Sequence, residues 1–146
     1  MMIEITGLKG EFEVFLYDSN KKLKTYRNVK NLTVNAGFLA VCDMMGFGAI
    51  EPFKRCAIGN GTVAPTSGNT ILGSELARVL GEYTRTSDTV WKNDATFGAG
   101  VGDGAITESG LFNHASAGTL LCRQTFPVIN KGAADTLVVT WQYTLS

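Results

Sequence analysis

Between Leu137 and Ser146 the large apolar side chains fall on every second position: Leu137, Val139, Trp141, Tyr143 and Leu145 alternate with Val138, Thr140, Gln142, Thr144 and Ser146. Period two places the first set on one face of an extended chain and the second on the other, which no helix can do. The segment predicts a strand in the middle of a sheet with one face in the core, where each large apolar side chain contributes about 1.5–3 kcal/mol. A chain that ends this way has to provide strands for both sides of it and a second layer for its apolar face.

Earlier segments supply them. Lys9 to Tyr17 places Phe12, Val14 and Leu16 on one side and Glu11 and Glu13 on the other; Asp18 to Lys21 reads as a turn, and Leu23 to Val29 as the returning strand. This predicts an antiparallel hairpin whose outer glutamates meet Lys22, Lys24 and Arg27 across the strands. From Asn35 the period changes: Phe38, Val41, Cys42 and Met45 stand at i, i+3, i+4 and i+7, one face of a helix of about three turns. Asn35 is positioned to cap its start and Gly46 to close its end in the left-handed conformation. The helix is expected to plug an open end or edge of the sheet, with Phe38 and Met45 extending the core. The alternative is that Met44, Met45 and Phe47 form an adaptable surface for a partner.

Phe53 to Ile58, Thr84 to Val90 and Trp91 to Phe97 read as further strands, and Gly73 to Tyr83 as a strand, with a helical turn at Ser74 to Val79 as the alternative. Ala105 to Phe112 and Thr119 to Phe126 read as a hairpin around the small-residue tip Asn113 to Gly118. Seventeen glycines and abundant threonine disfavour helix. The whole predicts one all-β domain over residues 1–146, an antiparallel β-sandwich of jelly-roll or Ig-like type with about eight strands and one short α-helix. The runner-up is a small open barrel with the helix over its mouth. With 45% apolar residues, a chain of 146 buries roughly 70% of its unfolded surface and needs no staple.

Two glycine-rich segments interrupt the strands. Ile58 to Leu72, IGNGTVAPTSGNTIL, cannot be strand or helix, and without a charge it lacks the composition of a disordered linker, so it is expected to be an ordered loop. Gly98 to Gly104, GAGVGDG, fails as a phosphate loop, because Asp103 stands where a third glycine is needed and no lysine follows. A β-turn is the better reading, and one carboxylate makes a poor cation site. His114, the single histidine, lies in the hairpin tip with no nucleophile and carboxylate beside it. Cys42, Cys56 and Cys122 match no zinc spacing and read as small buried hydrophobes, with a bridge between subunits as the sharper alternative. No catalytic residue, metal site or cofactor is predicted, and the chain is expected not to be an enzyme.

Thirteen basic side chains balance thirteen acidic ones, so no overall field draws in nucleic acid or an anionic membrane. Met1, Met2, Ile3, Glu4 and Ile5 open without a basic start or an apolar run long enough for a leader or span, so synthesis and residence in the cytoplasm are expected. Few lysines or prolines blunt the sheet edges after residue 55, which favours closed self-association as a dimer or trimer. The expected interface lies on the loops, at Asn60, Thr62, Pro65 and Thr66 and at Asn113 and His114. Exposed Trp91, Tyr83 or Tyr26 would instead suit a carbohydrate-binding module.

From Asn31 to Ser146 the stretches NLTVNAGFLAVCDMM, CAIGNGTVAPTSGNTILGSELARV and AITESGLFNHASAGTLLCRQTFPVINKGAADTLVVTWQYTLS follow a recurring order. A short helix opened by N-x-G precedes an I-G-x-G-T-x-A-P-x-x-x-x-T loop, an E-x-G-L-F-N strand, a G-T-L-L-x-R strand and a threonine-rich last strand. In this the chain resembles small structural proteins of tailed bacteriophages, in decoration, neck and tail-accessory positions. The resemblance implies a non-enzymatic building block of the virion, made in the host cytoplasm. It implies a capsid decoration or cement protein first, then a neck or collar component, with a tail-fibre or baseplate module for a host carbohydrate receptor as the alternative. The partners implied are copies of itself and other virion proteins such as the major capsid or neck and tail proteins, without nucleic acid or membrane.

Overall fold

The computed structural model describes residues 7–146; the reading of Met1 to Ile5 lies outside them. Ten strands and one helix follow one another as β1 (Leu8–Tyr17), β2 (Leu23–Lys30), β3 (Leu32–Thr33), α1 (Asn35–Gly46), β4 (Arg55–Gly59), β5 (Glu75–Leu80), β6 (Glu82–Arg85), β7 (Val90–Phe97), β8 (Gly104–Phe112), β9 (Leu120–Lys131) and β10 (Thr136–Leu145). They form two five-stranded antiparallel sheets, β2-β1-β10-β7-β6 and β3-β9-β8-β4-β5. The all-β sandwich with one short helix is therefore the fold, with ten strands where about eight were expected. One extra strand is the two-residue β3, too short for any periodicity to reveal. Another arises at Gly81, whose N–H bonds the Lys54 carbonyl at 2.7 Å, so that β5 closes one sheet and β6 opens the other.

β10 is the centre of its sheet, paired on one side with β1 (Phe12 opposite Trp141, Val14 opposite Val139) and on the other with β7 (Leu137 opposite Phe97). Its alternating set Leu137, Val139, Trp141 and Tyr143 is fully buried with Phe12, Val14, Ala95 and Phe97. The second sheet answers with Cys56, Ile58, Ile106, Leu111, Cys122, Phe126 and Ile129. Trp141 stacks at a tilt on Phe12, centroids 4.2 Å apart, and its indole N–H donates to Cys56 Sγ at 3.4 Å. The β1–β2 hairpin forms as predicted, with Glu11 opposite Lys30, but Glu13 has no cation across from it: it accepts the Tyr26 hydroxyl at 2.6 Å, and Lys24 reaches Asp135 at 2.9 Å. The registry explains this, since Glu13 faces Asn28 and not a cation.

β8 and β9 pair with two irregularities, one leaving Leu121 unopposed between Cys122 and Leu120. The offset sends Leu121 into the main core and Leu120 to the other face of its sheet. There, with Val34, Ala57, Leu72 and Phe112, it builds a second, smaller core. The second sheet is thus covered on both sides, by the first sheet within and by a layer of loop and helix outside.

Helix α1 plugs the sandwich, but not with the face that its sequence advertises. Gly37 and Ala40 are its buried residues, and a Cβ at Gly37 would collide with the Leu121 carbonyl. Phe38 and Met45 do not extend the core: they are 45% and 79% exposed, and Cys42 is exposed between them. The close backbone approach selects the small residues and turns the large ones outward. The caps differ too. Val34 holds the N-cap position without a side-chain bond, and the Asn35 N–H is satisfied by the Ser67 carbonyl at 2.8 Å. At the other end Gly48, not Gly46, takes the left-handed conformation, with φ 86°, and its N–H bonds the Asp43 carbonyl.

Candidate functional site

The loop between β4 and β5 lies over the outer face of the second sheet and is fastened there by two charged side chains. Glu108 on β8 and Arg123 on β9 are buried, and the Arg123 Nε donates to Glu108 Oε2 at 2.8 Å. Glu108 also accepts three backbone N–H groups of the loop: Ser74 at 2.7 Å and Gly61 at 3.0 Å on Oε1, and Gly73 at 2.9 Å on Oε2. Arg123 spends its remaining nitrogens on the same loop, Nη1 on Asn69 Oδ1 at 3.0 Å and Nη2 on the Val63 carbonyl at 2.9 Å. Thr107 adds a bond from its hydroxyl to the Gly61 carbonyl at 2.7 Å.

A buried ion pair is unfavourable unless its remaining hydrogen-bonding capacity is filled, and here it is. Burial pushes the Glu108 carboxyl up, but the amides of Ser74 and Gly73, the Arg123 guanidinium and the Gly61 amide together hold it below the usual carboxylate value. At Gly61 a Cβ would stand 2.5 Å from Glu108 Oε1, so the carboxylate is approachable only by glycine.

A second fastening joins the hairpin tip. Arg78 on β5 lies over the Phe112 ring, 3.6 Å from its centroid, and donates from Nη1 to the carbonyls of His114 and Ala117 at 2.9 and 2.8 Å. Its other nitrogens hold Glu75 in a two-point contact at 2.7 and 3.0 Å. The Gly98 to Gly104 segment is a turn, closed by Val101 N–H on the Gly98 carbonyl, and the buried Lys131 ammonium bonds Gly98 O and Asp103 Oδ1 at 2.9 and 2.7 Å.

Of the residues expected at an interface, Asn60, Thr62 and Thr66 are exposed and Pro65 is half-buried, all on the fastened loop. His114 is exposed at the tip, while the half-buried Asn113 accepts the Thr119 N–H at 2.7 Å and closes the turn. Leu72 at the end of the loop and Phe112 at the start of the tip share the outer core, so both sets lie on one face of the second sheet. Glu108 and Arg123 were missed by the sequence reading. The available signal was a single charge in each of the segments Ala105 to Phe112 and Thr119 to Phe126, opposite in sign, that were predicted to pair as a hairpin.

The site has little capacity for bond-making. Four donors occupy the Glu108 carboxylate, which leaves no free base. Burial raises the Cys56 thiol to about 11 and the Cys122 thiol to about 12, so neither is a nucleophile at neutral pH. Cys42, expected to be buried, is exposed on α1. Of the aromatics considered for sugar binding, Trp91 is half-buried and stacked on Tyr143 at 5.3 Å, while Tyr83 and Tyr26 are exposed. Among the described residues no three His, Cys, Asp or Glu side chains converge as a metal site, and no helix is long and apolar enough to cross a membrane. No protein-family model, curated protein or solved structure matches the chain.

Proposed function

We propose that the chain is a non-enzymatic structural component of a tailed-phage virion, and within it a capsid decoration or cement protein that bridges neighbouring shell subunits. The observation that carries the reading is the Glu108–Arg123 fastening. The E-x-G-L-F-N stretch contributes Glu108, G-T-L-L-x-R contributes Arg123, and I-G-x-G-T contributes Gly61, so the motifs behind the phage resemblance meet in one structural unit. That unit is a sandwich with a loop held in one shape, and a loop already ordered loses little entropy on docking.

The outward surface of the loop suits protein contact. Val63 and Ile71 are 75% and 69% exposed beside the polar Asn60, Thr62 and Thr66. Stabilisation of a shell then follows mass action, and contacts of order 1,000 Å² per site, repeated by symmetry, are sufficient. The partners are shell proteins and further copies of the chain, and the location is the virion.

The test adds purified protein to heads that lack it. Co-sedimentation to a saturating stoichiometry, with a rise in the melting temperature of the heads, supports the proposal. Failure to co-sediment, together with antibody labelling at the tail tip and binding to a glycan array, overturns it in favour of a receptor-binding module.

A further inference from the structure

The helix that closes the sandwich is apolar on both sides, and only one side is covered. Asp43 is the single charge among its residues, Asn35 to Gly46. Gly37 and Ala40 face the protein, while Phe38, Leu39, Met45 and the following Phe47 are 45%, 64%, 79% and 84% exposed, with Cys42 exposed in their midst. A helix apolar all round belongs in an interior. Of the stripe that the sequence presents at i, i+3, i+4 and i+7, Phe38, Cys42 and Met45 are bare, and only Val41 packs against the core.

From this surface we infer that α1 is the contact of a homodimer, in which two copies pack their helices across a two-fold axis. The exposed parts of these side chains amount to about 600 Å² per copy, or about 1,200 Å² for a pair, which passes the roughly 1,000 Å² that a specific interface needs. It also stands at the upper end of the roughly 300–600 Å² that the largest apolar patch of an ordinary monomer covers. Beside the same helix runs an apolar groove of about 290 Å³, lined by Val41, Met44, Pro52, Phe53 and Trp91 with Lys54 as its one charge, and Phe47 stands exposed just past the end of the helix. A stripe of one chemistry on one helix is covered reciprocally by the same stripe of a second copy across a two-fold axis, the isologous arrangement that closes at two subunits. The stripe carries no charge with which to select an ionic partner, and methionine accommodates an imperfect fit.

The inference rests on the self-association part of the proposed function and is independent of the virion. It is tested by sedimentation equilibrium of the full chain over a concentration series, with bismaleimide cross-linking through Cys42, the one exposed thiol among the described residues. A dimer is expected at about 50 μM, with a cross-linked species of twice the chain mass that Cys42→Ser removes. Leu39→Lys combined with Met45→Glu is expected to weaken the dimer by at least about 100-fold at an unchanged melting temperature of the monomer, since both side chains are exposed. Val63→Lys, on the loop, is expected to leave it intact. A wild-type monomer at every concentration, a trimer, or a dimer that survives the helix substitutions overturns the inference. If monomers decorate heads, the inference fails while the virion reading stands; a helix-dependent dimer that ignores heads has the opposite meaning.

Discussion

Replacing Glu108 by alanine removes the acceptor on which the β4–β5 loop is fastened, and the structure sets the size of the effect. Three backbone N–H groups, of Gly61, Gly73 and Ser74, lose their partner at once, and Arg123 becomes a buried cation without its counter-ion. Breaking a buried pair from one side costs about 3–5 kcal/mol, most of it the penalty on the charge left behind. For a chain of 146 residues this lowers the melting temperature by about 10–15 °C. Arg123→Met costs less, because Glu108 keeps its three amides while its Oε2, Asn69 Oδ1 and the Val63 carbonyl each lose one donor. In the double variant no cation is stranded, so its loss is smaller than the two single losses together. Thermal melts followed by circular dichroism measure the cycle, and limited proteolysis between Asn60 and Ile71 reports whether the loop has lifted. A Glu108→Ala protein that melts within about 1 °C of wild type, with the loop no easier to cut, would refute the reasoning.

Acid should act through the same carboxylate. Its pKa in the folded chain lies below the ordinary 4.5, so its contribution is complete above that value and is lost as pH falls through the folded one; melting temperature should drop more steeply below about pH 4.5 in wild type than in Glu108→Gln. Thiol titration of the native protein should count one fast group, Cys42, with Cys56 and Cys122 reacting only on unfolding; modification of all three at one rate would contradict their burial. Deleting Thr140 to Ser146 removes Trp141 and Tyr143 from the centre of a sheet, and the product should show no cooperative melt in calorimetry.

Strands with one face in the core were legible because alternation is a local property. The Phe12, Val14, Leu16 set and the set Leu137, Val139, Trp141, Tyr143 and Leu145 could be read residue by residue, and all are buried as read except Leu145, which is 50% exposed at the strand's end. The helix was legible as a helix but not in its orientation. Periodicity identifies a stripe without saying what it meets, and here the Leu121 backbone comes so close that Gly37 has no room for a Cβ, which buries the Gly37 and Ala40 side of the helix instead. The loop was recognisable as ordered from its turn-forming residues. What orders it was not, because Glu108 and Arg123 come from different strands and meet only after β8 and β9 pair around the Leu121 offset. The exchange of sheets at Gly81 was hidden for a similar reason, since its bond to Lys54 depends on a strand laid down much earlier.

The pairing of β1 with β10 has a kinetic consequence. During synthesis the first hairpin emerges with Phe12, Val14 and Leu16 on a strand whose second neighbour has not yet been made, and nearly the whole remaining sequence must follow before that neighbour arrives. Closing so long a loop is slow, and an apolar strand with an open flank is prone to capture by other nascent chains. Productive assembly of this protein should therefore respond to chaperone supply and expression temperature more sharply than its native stability would suggest.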